Sequence, residues 1–265
     1  MTRKLFYCLL VVFMLTASLP VFAENEAVPF SGDWVLDKVY ENASSSEKYV
    51  LDPENAASLY GEEKNIYSLL SDGSASMLME EESMKGSWKE TDGVITMAVT
   101  WVSKENEGEP DLSGALEMDF VYDAEKNDLH RYWKDDDADS TYHDLNFVYT
   151  RIPQGSWHMT KVYSRESGTD AVLLDPESAQ SLYAESVNVY ELSNWSVTET
   201  ITSEDYSQQG VLVKSGNNWL LKFGEDYEME MVYNAEENLL HRYWKSEEPQ
   251  DTYHDLDFVY EQITD

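Results

Sequence analysis

The chain has 265 residues, 52 acidic and 18 basic side chains, and a formal net charge of -34. Apolar residues make up 42% and aromatics 13%, enough for a folded core and too much for a disordered chain. So negative a surface repels phosphate backbones and anionic lipid heads, which excludes nucleic acid and membrane-surface binding as expected roles.

The first segment reads as an export signal. Arg3 and Lys4 precede an apolar run from Leu5 to Leu15, and Val21-Phe22-Ala23 supplies small residues at a cleavage position before Glu24. Residues 1–23 are therefore expected to be removed, leaving no membrane span and placing the protein outside the cell or on the exterior of its envelope. The single cysteine, Cys8, falls in this segment and lacks the small residues that precede a lipoprotein cysteine. The remainder then has no disulfide, thiolate nucleophile or thiolate metal ligand. An exported chain without disulfides points to a bacterial source. The sequons Asn42-Ala43-Ser44 and Asn194-Trp195-Ser196 are incidental in that setting.

The rest of the chain repeats itself. Gly32-Asp33-Trp34 with Lys38-Val39-Tyr40 recurs as Gly155-Ser156-Trp157 with Lys161-Val162-Tyr163, and the run Leu51–Tyr60 recurs at the same offset as Leu174–Tyr183. The runs Leu129–Lys134 and Thr141–Leu145 return unchanged as Leu240–Lys245 and Thr252–Leu256 at a shorter offset. The second copy has thus lost residues, mostly opposite the Val102–Gly114 loop. Copy one spans residues 31–152 and copy two 155–265, with Pro153-Gln154 as the linker.

Within each copy the dominant period is two. Leu116, Met118, Phe120 and Tyr122 alternate around Glu117 and Asp119, as do Leu145, Phe147 and Tyr149 around Asp144 and Asn146. This is the mark of antiparallel strands with one buried face. Turn signals at Ser71-Asp72-Gly73-Ser74, Thr91-Asp92-Gly93 and Asp135–Asp139 separate the runs. Eight strands are predicted in copy one, starting near Trp34, Asn65, Ser74, Met84, Val94, Ala115, Asp128 and Ser140. A short helix after the first strand is predicted from Asp52 as N-cap, Pro53 in the first turn, and Ala56, Ala57 and Leu59. Eight meandering strands close into a small barrel, so the expected fold is all-β, with two tandem eight-stranded antiparallel barrels.

Gly-x-Trp on the first strand, the short helix, the Asp-Gly hairpin and Gly86-Ser87-Trp88-Lys89 with Asp92-Gly93 together resemble the lipocalin-like domains of small secreted bacterial proteins. The resemblance covers both copies. It implies that a basic residue at the end of the last strand closes over the first-strand Trp. Arg151 shares the inward parity of Tyr149 and fits that role for Trp34. Copy two departs from the pattern, with Gln262 in place of Arg151 and Leu212 in place of Trp88, which puts closure of its barrel in doubt.

Candidate binding residues follow from a repeated hairpin. If the Asp135–Ser140 turn sets Leu129 against Leu145, Arg131 faces His143 and Trp133 faces Thr141, all beside Phe147 and Tyr149. Copy two repeats this with Arg242 and His254, Trp244 and Thr252, and Tyr260. With Trp34 and Trp157 these residues would line a ring-walled cavity with one basic anchor, suited to a small, partly apolar ligand. The same residues read as a polar plug in a filled barrel, and that alternative stays open. Outward Tyr132, Tyr142, Tyr243 and Tyr253 would then contact a protein or glycan. His130 and His143 have opposite parity and share no face, so no metal site is expected. The Asp135–Asp139 run is read as a solvated turn rather than a calcium loop. With no Gly-x-Ser-x-Gly elbow, phosphate-cradling loop or His-Glu-x-x-His helix, neither catalysis nor a cofactor is expected.

Overall fold

The computed structural model describes residues 28–42, 48–79, 82–102, 112–137, 139–166, 171–224 and 227–264. The expected signal segment over residues 1–23 lies outside them, as do residues 103–111 of the long loop. Each copy forms one antiparallel sheet. The first contains β1 (Gly32–Asn42), β2 (Lys48–Val50), β3 (Asn65–Leu69), β4 (Ser74–Met79), β5 (Glu82–Thr91), β6 (Val94–Trp101), β7 (Leu116–Asp123), β8 (Asp128–Lys134) and β9 (Asp144–Arg151). Strands β3 to β9 meander, and β9 pairs back onto β1, so β1 and β3–β9 close an eight-stranded barrel. Among the described residues the short β2 pairs only with the end of β1.

The second sheet repeats this plan with β10 (Gly155–Ser164), β11 (Val172–Leu173), β12 (Asn188–Ser193), β13 (Ser196–Ile201), β14 (Tyr206–Ser215), β15 (Asn218–Phe223), β16 (Tyr227–Asn234), β17 (Leu239–Lys245) and β18 (Asp255–Gln262). Pairing of β10 with β18 closes it, despite Gln262 in the place of Arg151. Gln262 opposes Trp157 and donates to the Gln154 carbonyl at 3.0 Å while accepting from Asn238 at 2.8 Å. Neutral hydrogen bonds thus hold the end that copy one holds with a cation.

Two expectations need correcting. The last strand of copy one starts at Asp144, not Ser140, because Asp135 to His143 forms a broad loop. The Asp135 amide donates to the His143 carbonyl at 3.0 Å, and the Asp135 carboxylate accepts the Asp137 amide at 2.9 Å. The helices α1 (Ala57–Tyr60) and α2 (Gln180–Tyr183) are single turns, each preceded by a short strand and continued by a 3-10 turn. The N-cap of α1 is Ala56; Asp52 instead accepts the Glu54 amide at 2.8 Å and stabilises the turn before it.

The repeated Leu51–Tyr60 motif has a physical reason. The buried Tyr60 hydroxyl donates to the Leu51 carbonyl at 3.0 Å and accepts the Val39 amide at 3.2 Å, pinning the helical segment to β1. Tyr183 does the same with Leu174 and Val162. This segment matters because the 3-10 turn behind it carries an acid into each barrel.

The barrels also pack on each other. Val35, Ile66 and Ile152 of the first barrel are buried and join the apolar cluster of the second, with Leu78 packed against it. The Trp195 indole donates to the Lys64 carbonyl at 3.1 Å across this junction. None of the described helices is long and apolar enough to cross a membrane.

Candidate functional site

Period-two alternation aims one face of every strand inward, and the rings it supplies meet at the axis. In the first barrel Tyr67, Phe120 and Tyr149 form an edge-on triangle with centroids 5.2 to 5.8 Å apart, all fully buried. Trp34 is fully buried, donates to the Phe30 carbonyl at 3.0 Å, and lies under the Arg151 guanidinium at 5.0 Å. Phe30 meets Trp88 edge-on at 4.9 Å above it. The expected cation over the first-strand Trp is therefore present in copy one.

Arg131 faces inward over the Phe147 ring at 5.4 Å. Its partner is Glu62, from the 3-10 turn, at 3.1 and 3.3 Å, and the Tyr149 hydroxyl donates to the same carboxylate at 2.9 Å. Burial, with the Tyr67 phenol and the Glu62 carboxylate nearby, pushes the Tyr149 phenol well above its ordinary pKa. The second barrel repeats the device: Arg242 pairs with Glu185 at 3.0 and 3.1 Å, and Tyr260 donates to Glu185 at 3.3 Å. The basic group offered as a ligand anchor is already engaged by an acid of its own chain.

The structure brings Trp34, Arg131 and Tyr149, and likewise Trp157, Arg242 and Tyr260, into the barrel interiors. Trp133 and Trp244 are half-buried and pack on the edge of the two cores. His143 and His254 are not part of either group. Both are exposed, with Nδ1 at 3.1 Å from the Asp135 carbonyl and 3.3 Å from the Ser246 carbonyl respectively. The register explains this: Leu129 opposes Tyr149, Arg131 opposes Phe147 and Trp133 opposes Leu145. The slip from the expected pairing is even, so Arg131 and Trp133 keep their inward parity while His143 falls into the loop. Sequence reasoning passed over Glu62 and Glu185. Their only signal was position, each two residues after the pinning tyrosine in both copies.

The interiors also differ between copies. Met77 opposes Met84 in the first barrel, and at the same hairpin position Glu199 opposes Gln208 in the second. Glu199 is only 4% exposed; it accepts from the Tyr190 hydroxyl at 3.0 Å, from Asn188 at 3.3 Å and from Gln208.

Outside the barrels, Tyr132 and Tyr243 are 55% and 48% exposed and stack on His130 and His241 at 6.1 and 6.0 Å. Tyr142 and Tyr253, also expected outside, are half-buried against the cores. A larger feature lies between the barrels: a cleft of about 630 Å³. Its first-barrel wall includes Leu36, Pro53 and Tyr60, and its second-barrel wall includes Trp195, Val211 and Val213. At one end Lys214 donates to Asp37 at 2.9 Å. Burial alone would raise the Asp37 pKa, but Lys214 and Lys38 beside it hold the carboxyl below its usual range. A smaller hollow of about 370 Å³ sits over Phe30, Trp88 and Tyr122. Among the described residues no group of three or more His, Cys, Asp or Glu side chains is placed to hold a metal ion. No protein-family model matches the chain, and no curated protein matches it.

Proposed function

We propose that this chain is an exported, non-catalytic binding protein whose two lipocalin-like barrels are filled scaffolds and whose ligand is met outside them. The observation that supports this reading is the set of buried rings in contact inside each barrel: Tyr67, Phe120 and Tyr149 in one, and Tyr190 and Tyr260, 5.7 Å apart, in the other. The Arg131–Glu62 and Arg242–Glu185 pairs support the same reading, since each anchor is matched by an internal carboxylate. Export is supported by the composition of residues 3–23, and the absence of a nucleophile motif supports a binding role over a catalytic one.

The test is aromatic NMR of the two-barrel protein against a panel of small molecules and oligosaccharides. Shifts confined to outward rings, such as Tyr132, Tyr243 or Trp195, are expected. Shifts confined to Trp34, Tyr149, Trp157 and Tyr260 would overturn the reading and return the ligand to the barrels.

A further inference from the structure

We propose that the cleft between the barrels is a binding site for a neutral, ring-bearing small molecule. The proposal rests on the reading that recognition lies outside the barrels, and it names the place and the class of ligand.

Comparison of the two copies supplies the first argument. Gly86 and Gly210 occupy the same hairpin position, opposite Ala75 and Val197, and at each a Cβ would collide with the carbonyl of the next strand. From these markers Ser87 corresponds to Val211, Lys89 to Val213 and Glu90 to Lys214. Ser87 and Lys89 face solvent in copy one. Their counterparts line the cleft and are apolar, while Gly73, in the matching hairpin turn, is replaced by Trp195. On the wall that faces the first barrel the second copy thus carries apolar residues where the first copy has Ser87, Lys89 and Gly73.

These residues are not merely interface packing. Val211 remains 52% exposed and Val213 36%, so the first barrel leaves them uncovered. Uncovered apolar side chains beside a ring, in a hollow of about 630 Å³, match the size and lining of sites that take molecules of drug size. The Trp195 indole nitrogen is taken up by the Lys64 carbonyl, so what this ring presents to a ligand is carbon. Tyr60 contributes a second ring on the opposite wall, its hydroxyl already bound to Leu51 and Val39.

Charge decides the class. The lining carries two acids, Asp37 and Glu63, and two bases, Lys64 and Lys214. Asp37 is bracketed by Lys214 and Lys38, each at 2.9 Å. A balanced lining selects neither sign, and a chain of net charge -34 repels anions before they arrive.

The probe is N-phenyl-1-naphthylamine, neutral and with two ring systems, titrated into the full two-barrel chain and followed by its fluorescence. One saturable site is expected. Affinity should fall at least tenfold in Trp195→Ala and in the Val211→Ser/Val213→Lys double variant, which restores copy-one residues at exposed positions. Near-UV circular dichroism checks that these variants are folded. Tyr149→Phe, inside the barrel, should leave affinity unchanged. The anionic 1-anilinonaphthalene-8-sulfonate should bind at least tenfold more weakly. No saturable binding, or equal affinity for the anion, overturns the proposal. Wild-type affinity in both cleft variants and in Tyr149→Phe places the probe elsewhere outside, and overturns the cleft alone. Wild-type affinity in the cleft variants with loss in Tyr149→Phe overturns the outside reading as well.

Discussion

Lys214 of the second barrel donates to Asp37 of the first at 2.9 Å, with side chains only 16% and 12% exposed. The residue at the Lys214 position in copy one is Glu90, so the two copies carry opposite charges at the position that makes the bridge. The contact fastens two barrels whose linker is only Pro153-Gln154.

The coupling between Asp37 and Lys214 should be about 1 kcal/mol in a double-mutant cycle with Asp37→Asn and Lys214→Met, read by urea unfolding. The Asp37 carboxyl is held below its ordinary value in the folded state, so its contribution is complete above the unfolded pKa of about 4. It is lost as pH falls through the lower folded value. The stability gap between wild type and Asp37→Asn should therefore be constant near neutrality and close in acid.

Glu199 carries a second prediction, because a buried acid held by neutral donors is costly to break on one side only. Glu199→Met strands Tyr190, Asn188 and Gln208 and should cost about 1–3 kcal/mol. Adding Gln208→Met recreates the Met77–Met84 pair of the first barrel and should recover at least half of that loss. Denaturant midpoints of the two single variants and the double variant decide it. Burial, together with the neighbouring Tyr260 phenol and Glu199 carboxylate, raises the Tyr190 phenol far above its usual pKa. It should therefore remain un-ionised in alkali until the barrel unfolds.

Gly86 and Gly210 should not tolerate a side chain. Their Cβ would enter the backbone of β6 or β15 rather than the end of a mobile side chain. Gly86→Ala and Gly210→Ala are each expected to destabilise by at least about 2 kcal/mol, by calorimetry. Gly61→Ala, with open space around the same atom, should change stability little.

The two barrel ends should respond differently. Arg151→Ala removes a cation over a fully buried indole and a hydrogen bond to the Pro29 carbonyl, and should cost about 2 kcal/mol. Gln262→Ala removes neutral hydrogen bonds alone and should cost about 1 kcal/mol. Chemical denaturation of each variant measures the difference.

The parts legible in the sequence are those set by local periodicity. Period-two alternation and the repeat predict two closed barrels, and the inward parity of Arg151 fits it to the place over Trp34 that the lipocalin-like resemblance implies. The β8–β9 register is not local in this sense. It depends on how Asp135, Asp137 and Ser140 hold the loop together by hydrogen bonds, and no hydrophobic period constrains loop length. Glu62 was hidden among 52 acids, and only its recurrence as Glu185 distinguishes it. The cleft joins Asp37 to Lys214 and Lys64 to Trp195, pairs far apart in sequence with no pattern linking them. The cleft leaves a trace in the sequence in the difference between Ser87 and Lys89 of copy one and Val211 and Val213 of copy two.

Diffraction from crystals of the two-barrel protein soaked with N-phenyl-1-naphthylamine locates the ligand directly. Density for the probe is expected between Tyr60 and Trp195, against Val211 and Val213, with the Tyr67, Phe120 and Tyr149 rings undisturbed. Density inside either barrel, with those rings or Tyr190 and Tyr260 displaced, would contradict binding in the cleft.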